Sequence, residues 1–249
     1  MLVRKQGIFW GLALVLAGLG CHTRQDAQSK VGMDDETRFR AMREKMVLTQ
    51  IENRGVKDPR VLNALRKVPR HLFVRSDMKE RAYDDNALPI AEGQTISQPY
   101  IVGIMTELLA VGPEDRVLEV GTGSGYQAAV LGELAKAVYS IEILEPLATA
   151  SAQVLHSLGY NHVTVRHGDG YRGWPEAAPF DAVVVTAAPD HIPQPLIDQL
   201  RVGGRLVIPV GIEDQELRLL LKTKEGVLQK EIIPVRFVPM TGEAQEDDR

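Results

Sequence analysis

Val117-Leu118-Glu119-Val120-Gly121-Thr122-Gly123-Ser124-Gly125 reads as a buried strand that breaks into a glycine loop and opens a helix. Val117, Leu118 and Val120 make the short apolar run of a strand covered on both faces, and a helical pattern follows from Tyr126 to Leu134. Glycines at 121, 123 and 125 let the backbone turn sharply and approach a ligand that a side chain would hold off. A loop of this kind predicts a nucleoside-like ligand across the end of a parallel sheet.

The spacing narrows the ligand. A dinucleotide fingerprint wants its third glycine or alanine at position 126, where this chain has Tyr126, and Glu119 sets a carboxylate just before the loop. An anion there disfavours a pyrophosphate and favours a cation. S-adenosylmethionine, with a sulfonium, an ammonium and no phosphate, suits an acidic strand end followed by G-x-G-x-G. About 20 residues further on, Glu142 stands near the end of the next apolar run, where an acidic partner for ribose hydroxyls belongs. The alternative for Glu142 is a solvated glutamate at a strand end.

Around this loop the pattern alternates. Strands are expected over 116–120, 137–142, 162–167 and 180–186, with helices over 124–135 and 145–158. That is an α/β chain with a doubly wound, mostly parallel, Rossmann-like sheet and helices on both faces. A helix from Pro193 through Leu200 leads to Gly203-Gly204 and a strand over 205–210, and 216–223 with 227–238 alternate as a hairpin about Lys224–Gly226. The sheet should therefore finish in antiparallel strands. On the N-terminal side, 34–54 reads as a charged amphipathic helix burying Phe39, Met42, Met46 and Val47, and Asp58-Pro59 starts a second helix over 60–67. These form a helical cap over 34–110 within one domain, 34–242, followed by an acidic tail, 243–249, expected to be disordered.

Composition sets outer bounds. The chain has 249 residues, 44% hydrophobic and 25% charged, with a formal net charge of -4. There is no basic footprint for nucleic acid, so nucleic-acid substrates are disfavoured. One cysteine excludes an internal disulfide, and six histidines without paired spacing predict no metal site. A monomer is expected.

The first twenty residues differ in kind. Arg4 and Lys5 precede an uncharged apolar segment, Ile8 to Leu19, too short for a membrane span and right for the core of an export signal. Gly18-Leu19-Gly20-Cys21 resembles a bacterial lipoprotein cleavage box, with Gly18 where a leucine-like residue is usual. Residues 1–20 are read as the signal, Cys21 as the first mature residue and the only point of membrane attachment, if lipidated, and 21–33 as a polar tether. That predicts the cell envelope or periplasm. The alternatives are an uncleaved anchor, or a misassigned start upstream of a cytoplasmic protein.

Just before the glycine loop comes Gly93-Gln94-Thr95-Ile96-Ser97-Gln98-Pro99-Tyr100, followed by Met105-Thr106-Glu107-Leu108-Leu109. With Gly168-Asp169-Gly170, Phe180-Asp181-Ala182, Val185-Thr186-Ala187-Ala188-Pro189 and Gly203 to Gly211, these motifs closely resemble the protein-L-isoaspartate O-methyltransferase family from about Met46 to Pro239. The resemblance implies S-adenosylmethionine as cofactor and, as substrates, proteins or peptides in which an isoaspartyl residue carries a free α-carboxylate. That carboxylate would attack the sulfonium methyl in line. A carboxyl with a pKa of about 4 is ionised at neutral pH and needs no strong base. The ester would collapse to a succinimide and reopen partly to normal aspartate, a repair step.

By the same match Ser97 is the catalytic residue, donating a hydrogen bond that orients the carboxylate. Its alternative, compatible with the first, is the N-cap of a helix from Pro99. Thr95 and Ile96 would line the cofactor pocket, Asp169 would accept from the adenine amino group or simply form an Asp-Gly turn, and Gly170 would leave room for the adenine. Glu119, Gly121, Gly123, Gly125 and Glu142 complete the expected cofactor set. Val235 to Pro239 also match the family and are expected to help hold the peptide backbone. Without a G-x-S-x-G elbow, a serine hydrolase is disfavoured. His167, Tyr126 and Trp174 carry no assignment. Two other readings remain open: a small carboxylic acid as acceptor, and an exported binding module with a vestigial site.

Overall fold

The computed structural model describes residues 34–245. The export-like segment, Cys21 and the tether through residue 33 lie outside the described residues, as do residues 246–249.

Helix α1, Asp35–Met46, starts with Asp35 and Glu36 and ends with Arg43 and Lys45, charges placed to oppose the helix dipole. The expected single helix over 34–54 does not hold together. A wide turn, Val47–Ile51, carries both Val47 and Ile51 into the core, and a tighter one, Glu52–Arg54, ends at Gly55 with φ 105°. Helix α2, Pro59–Lys67, is capped by Asp58, whose carboxylate accepts from the Arg60 amide at 2.8 Å. It buries Val61, Leu62, Ala64 and Leu65. Two short strands, β1 (Leu88–Pro89) and β2 (Thr95–Ile96), pair antiparallel and deliver the chain to α3, Pro99–Leu109.

The sheet is built from β3 (Arg116–Val120), β4 (Ala137–Glu142), β5 (Val163–His167), β6 (Phe180–Val185), β7 (Leu200–Val210), β8 (Gln215–Lys222) and β9 (Val227–Val235). Its order is β5-β4-β3-β6-β7-β8-β9, with β5 through β7 parallel and β8 and β9 antiparallel. Alternation along β3 sends Val117 to one face, with Met105, Leu109 and Leu131, and Leu118 and Val120 to the other, with Leu196 and Met240. Helices α4 (Tyr126–Gly132), α5 (Glu145–Ser157) and α6 (Gln194–Asp198) complete a doubly wound, Rossmann-like fold. The chain winds outward from β3 through β5, then restarts on the other side at β6. The gap between β3 and β6 is the switch point where such sheets bind ligands.

Three expectations need correction. Gly203-Gly204 is no loop before a strand: β7 begins at Leu200, and the register against β6 shifts between Phe180 and Ala182. Helix α4 is shorter than 124–135 at both ends: Ser124 and Gly125 still belong to the loop, and the helix stops at Gly132. The acidic tail is ordered at its start: Glu243–Gln245 forms a helical turn with Ala244 buried.

Asp58→Ala should cost about 1 kcal/mol of unfolding free energy at neutral pH, measured by urea denaturation. The hydrogen bond from the Arg60 side chain holds the Asp58 carboxyl below its ordinary value. That contribution is present above the ordinary aspartate range and is lost as pH falls through the depressed folded value, so wild type and variant should converge in acid.

Candidate active site

Loops at the carboxyl ends of β3, β4, β5 and β6 converge on one cleft of about 850 Å³, measured out to its open mouth. Gly121 to Ser124 follow β3, Glu142 ends β4, Gly170 follows β5, and Thr186 and Ala187 follow β6; Gln94 to Ser97 and Val238 to Thr241 complete the wall.

Glu142 is the one charged side chain in that lining. It is buried, and its carboxylate accepts from the Gly123 amide at 2.8 Å and the Leu144 amide at 3.0 Å. An anion at the end of β4, with oxygen lone pairs still free, suits ribose hydroxyls and a cationic cofactor and repels phosphate. The solvated-glutamate alternative does not fit a buried side chain. Gly121 has φ 96°, and a Cβ there would meet Thr186 Oγ1 at 2.4 Å, so the loop closes against β6 only with glycine. Gly123 lines the cleft as expected. Gly125 does not: it faces Ser151 and Leu155 of α5 and serves helix packing.

Glu119 departs from expectation. It is fully buried, outside the lining, and receives a hydrogen bond from Ser140 Oγ, which in turn pairs with Thr122 Oγ1 at 2.6 Å. Burial pushes its carboxyl up to about 8, against the Ser140 hydrogen bond, with Glu142 adding to the rise. At neutral pH it is therefore a neutral acid beneath the loop, and the carboxyl group in the cleft lining is that of Glu142. Asp169 also lies outside the lining. Its two oxygens accept from the Tyr171 amide at 2.9 Å and the Glu243 amide at 2.8 Å, tying the C-terminal turn to the end of β5. Gly170 lines the cleft, but a Cβ there would strike Val120 Cγ1 at 2.3 Å, so the glycine is required by the sheet before any adenine.

The Thr95-Ile96-Ser97 stretch sits in the same cleft. Thr95 and Ser97 are accessible and Ile96 is buried, all three in the wall. Ser97 is not the helix cap: Gln98 holds that position without a side-chain bond, and Pro99 opens α3 with no amide to satisfy. The Ser97 hydroxyl is thus not spent on α3. Tyr126, which carried no assignment, lines the cleft with its ring buried. The C-terminal segment enters through an isolated bridge, with Ala188 donating to the Val238 carbonyl at 2.8 Å and Met240 donating to the Ala188 carbonyl at 2.7 Å. Met240 and Thr241 lie beyond the motif that drew notice to Val235–Pro239. Among the described residues no cluster of three or more His, Cys, Asp or Glu could hold a metal ion.

Residues 41–245 match the family model for Protein-L-isoaspartate(D-aspartate) O-methyltransferase. The chain belongs to this family. A protein-L-isoaspartate O-methyltransferase of Synechococcus sp. (strain JA-2-3B'a(2-13)) is 59% identical over 210 residues, spanning 81% of this chain and 86% of the relative. Protein-L-isoaspartate O-methyltransferase 2 of Shewanella sediminis is 52% identical over 225 residues, spanning 90% of this chain and 92% of its own length. A solved protein-L-isoaspartate O-methyltransferase superposes with a TM-score of 0.75 at 29% identity, covering 81% of this chain and 67% of that one. A Plasmodium falciparum structure in complex with S-adenosyl-L-homocysteine shares the fold, with a TM-score of 0.71 at 24% identity. In this isoaspartate methyltransferase family member, the cleft at the β3/β6 switch point is the candidate site.

Glu119 supplies a test of the site's electrostatics. A folded value above the ordinary 4.5 means its contribution to stability is complete below that value and is lost as pH rises toward 8. Glu119→Gln cannot ionise, so wild type should lose unfolding free energy relative to the variant between about pH 5 and pH 9. Urea denaturation across that range would read the difference; parallel profiles would mean that Glu119 ionises freely.

Proposed function

We infer that this chain catalyses S-adenosylmethionine-dependent methyl esterification of the free α-carboxylate of L-isoaspartyl residues in damaged proteins and peptides. The observation that carries this reading is that one cleft holds both the Glu142 and glycine-loop half and the Thr95-Ile96-Ser97 half of the family's motifs. Bound S-adenosylmethionine would supply an electrophilic methyl group, transferred to the carboxylate with loss of neutral S-adenosylhomocysteine. Glu142 would hold the ribose hydroxyls, and Gly121 and Gly123 would let the nucleoside lie against backbone. Asp169, whose oxygens keep lone pairs beyond their bonds to the Tyr171 and Glu243 amides, would take the adenine amino group.

Ser97 would donate to one carboxylate oxygen and leave the other to attack. With no base required, the protein's contribution is placement within about 3–3.5 Å, in line, and exclusion of water. Val238 to Thr241, held to Ala188, would form the wall along which the peptide backbone runs. The N-terminal reading is also a proposal. Arg4, Lys5, the apolar segment and Cys21 support an exported, lipid-anchored protein in the cell envelope, which would need its cofactor supplied there.

Protein lacking residues 1–29 should transfer labelled methyl from S-adenosylmethionine to an isoaspartyl peptide and not to its aspartyl twin. Ser97→Ala should lower kcat by roughly 10²- to 10³-fold. Glu142→Ala should weaken S-adenosylhomocysteine binding by about tenfold or more, read by calorimetry. Labelling of both peptides, or of free carboxylic acids, would change the acceptor. Mass spectrometry of the mature protein should find a lipidated Cys21 at its N-terminus; an intact Met1 would sink the export proposal.

A further inference from the structure

Arg70 opens the tight turn Arg70–Leu72 and is wholly buried. Its Nε donates to the Ala82 carbonyl at 2.7 Å and its Nη2 to the Ser97 carbonyl at 2.7 Å. The guanidinium lies 4.8 Å from the ring centroid of Tyr126. The Tyr126 hydroxyl and the guanidinium are partners at the margin of hydrogen-bonding geometry, and Nη1 meets no carbonyl or carboxylate there. No carboxylate pairs with Arg70 among the described residues, whereas Arg38, Arg60 and Arg66 hold Glu80, Asp58 and Glu52. Burial pushes Arg70 down to about 10, with the Tyr126 and Tyr83 phenols acting in the other direction. It remains a cation at neutral pH.

A buried charge without a counter-ion is costly, and a neutral amide could brace two carbonyls without that cost. The retained charge therefore asks for an anion. Arg70 stands behind Ser97, whose hydroxyl is accessible in the cleft and whose backbone the guanidinium holds. Tyr126, at its other side, belongs to the cleft wall as well. We propose that Arg70 is a positioning residue for the acceptor: it fixes Ser97 from behind and supplies the positive field that selects an ionised carboxylate over a neutral group. The inference rests on the isoaspartyl reading. It adds that recognition is by charge as well as by shape, and that the ester, once formed, loses this attraction and leaves.

The test is peptide binding to the protein saturated with S-adenosylhomocysteine. An isoaspartyl peptide is compared with its twin bearing an α-carboxamide in place of the α-carboxylate. Wild type should bind the carboxylate at least about tenfold more tightly. In Arg70→Met that preference should collapse toward one while S-adenosylhomocysteine affinity stays. Arg70→Lys should keep the preference at about pH 7 and lose it as pH rises, because burial lowers a lysine into that range. Wild type should stay flat over the same interval. The titratable groups around the site are Tyr83 and Tyr126, with Arg43 and His71 reached through Tyr83, and His71 is pushed down by burial and so neutral there.

Equal weakening of both peptides in Arg70→Met would overturn the proposal and leave Arg70 a brace. If that variant does not fold, a pH-independent preference in Arg70→Lys overturns it. If wild type holds S-adenosylhomocysteine but does not bind the isoaspartyl peptide, the acceptor reading has failed, and the Arg70 inference is overturned with it.

Discussion

The Glu142 carboxylate, at the carboxyl end of β4, accepts from Gly123 in the loop after β3 and from Leu144 at the entrance to α5. One buried acid thus closes two turns that are neighbours only because β3 and β4 run parallel. Charge-assisted bonds of this kind are about twice as strong as neutral ones, and here they stiffen the wall on which a nucleoside would lie. Close approaches complete the frame: Gly121 against Thr186 joins the β3 loop to β6, and Gly170 against Val120 joins the β5 loop to β3. The cleft's shape is set by four strand ends held in register.

Two other buried ionisable groups flank that cleft and answer the same desolvation in opposite ways. Glu119, pushed up to about 8, sheds its charge at neutral pH and joins the Ser140 and Thr122 hydroxyls as a neutral member of a polar chain. Arg70, pushed down only to about 10, keeps its charge and leans on two carbonyls and an aromatic ring. The glycine loop therefore rests on neutral ground, and the wall that carries Ser97 is backed by a cation. Such an arrangement suits a reaction in which a carboxylate and a sulfonium neutralise each other.

The fold and several residues of the cleft were legible in the sequence. Strand and helix order followed from periodicity, the loop from its glycines, and Glu142 from its distance to them. Thr95, Ile96 and Ser97 followed from a resemblance to known proteins, and the cleft contains all three. Where the structure adds to the local reading there is one cause. Glu119 lies beneath the loop and Gly125 packs on α5, both outside the cleft lining, and Gly170 lines the cleft while also clearing Val120. Each placement depended on a neighbour distant in the chain: Ser140, Leu155 and Val120.

The sequence by itself determined which segments form strands and helices and in what order, because alternation, capping and turn chemistry act over a few residues. It also determined the loop and the family. Only the tertiary structure decided that Glu119 is neutral, because desolvation is a property of the surroundings and not of the residue. It likewise decided that Val238 to Thr241 and Glu243 fold back onto the site, and that Arg70 lies behind Ser97. Those contacts span 27 residues for Arg70 and Ser97 and 74 for Asp169 and Glu243, separations at which no local pattern carries information.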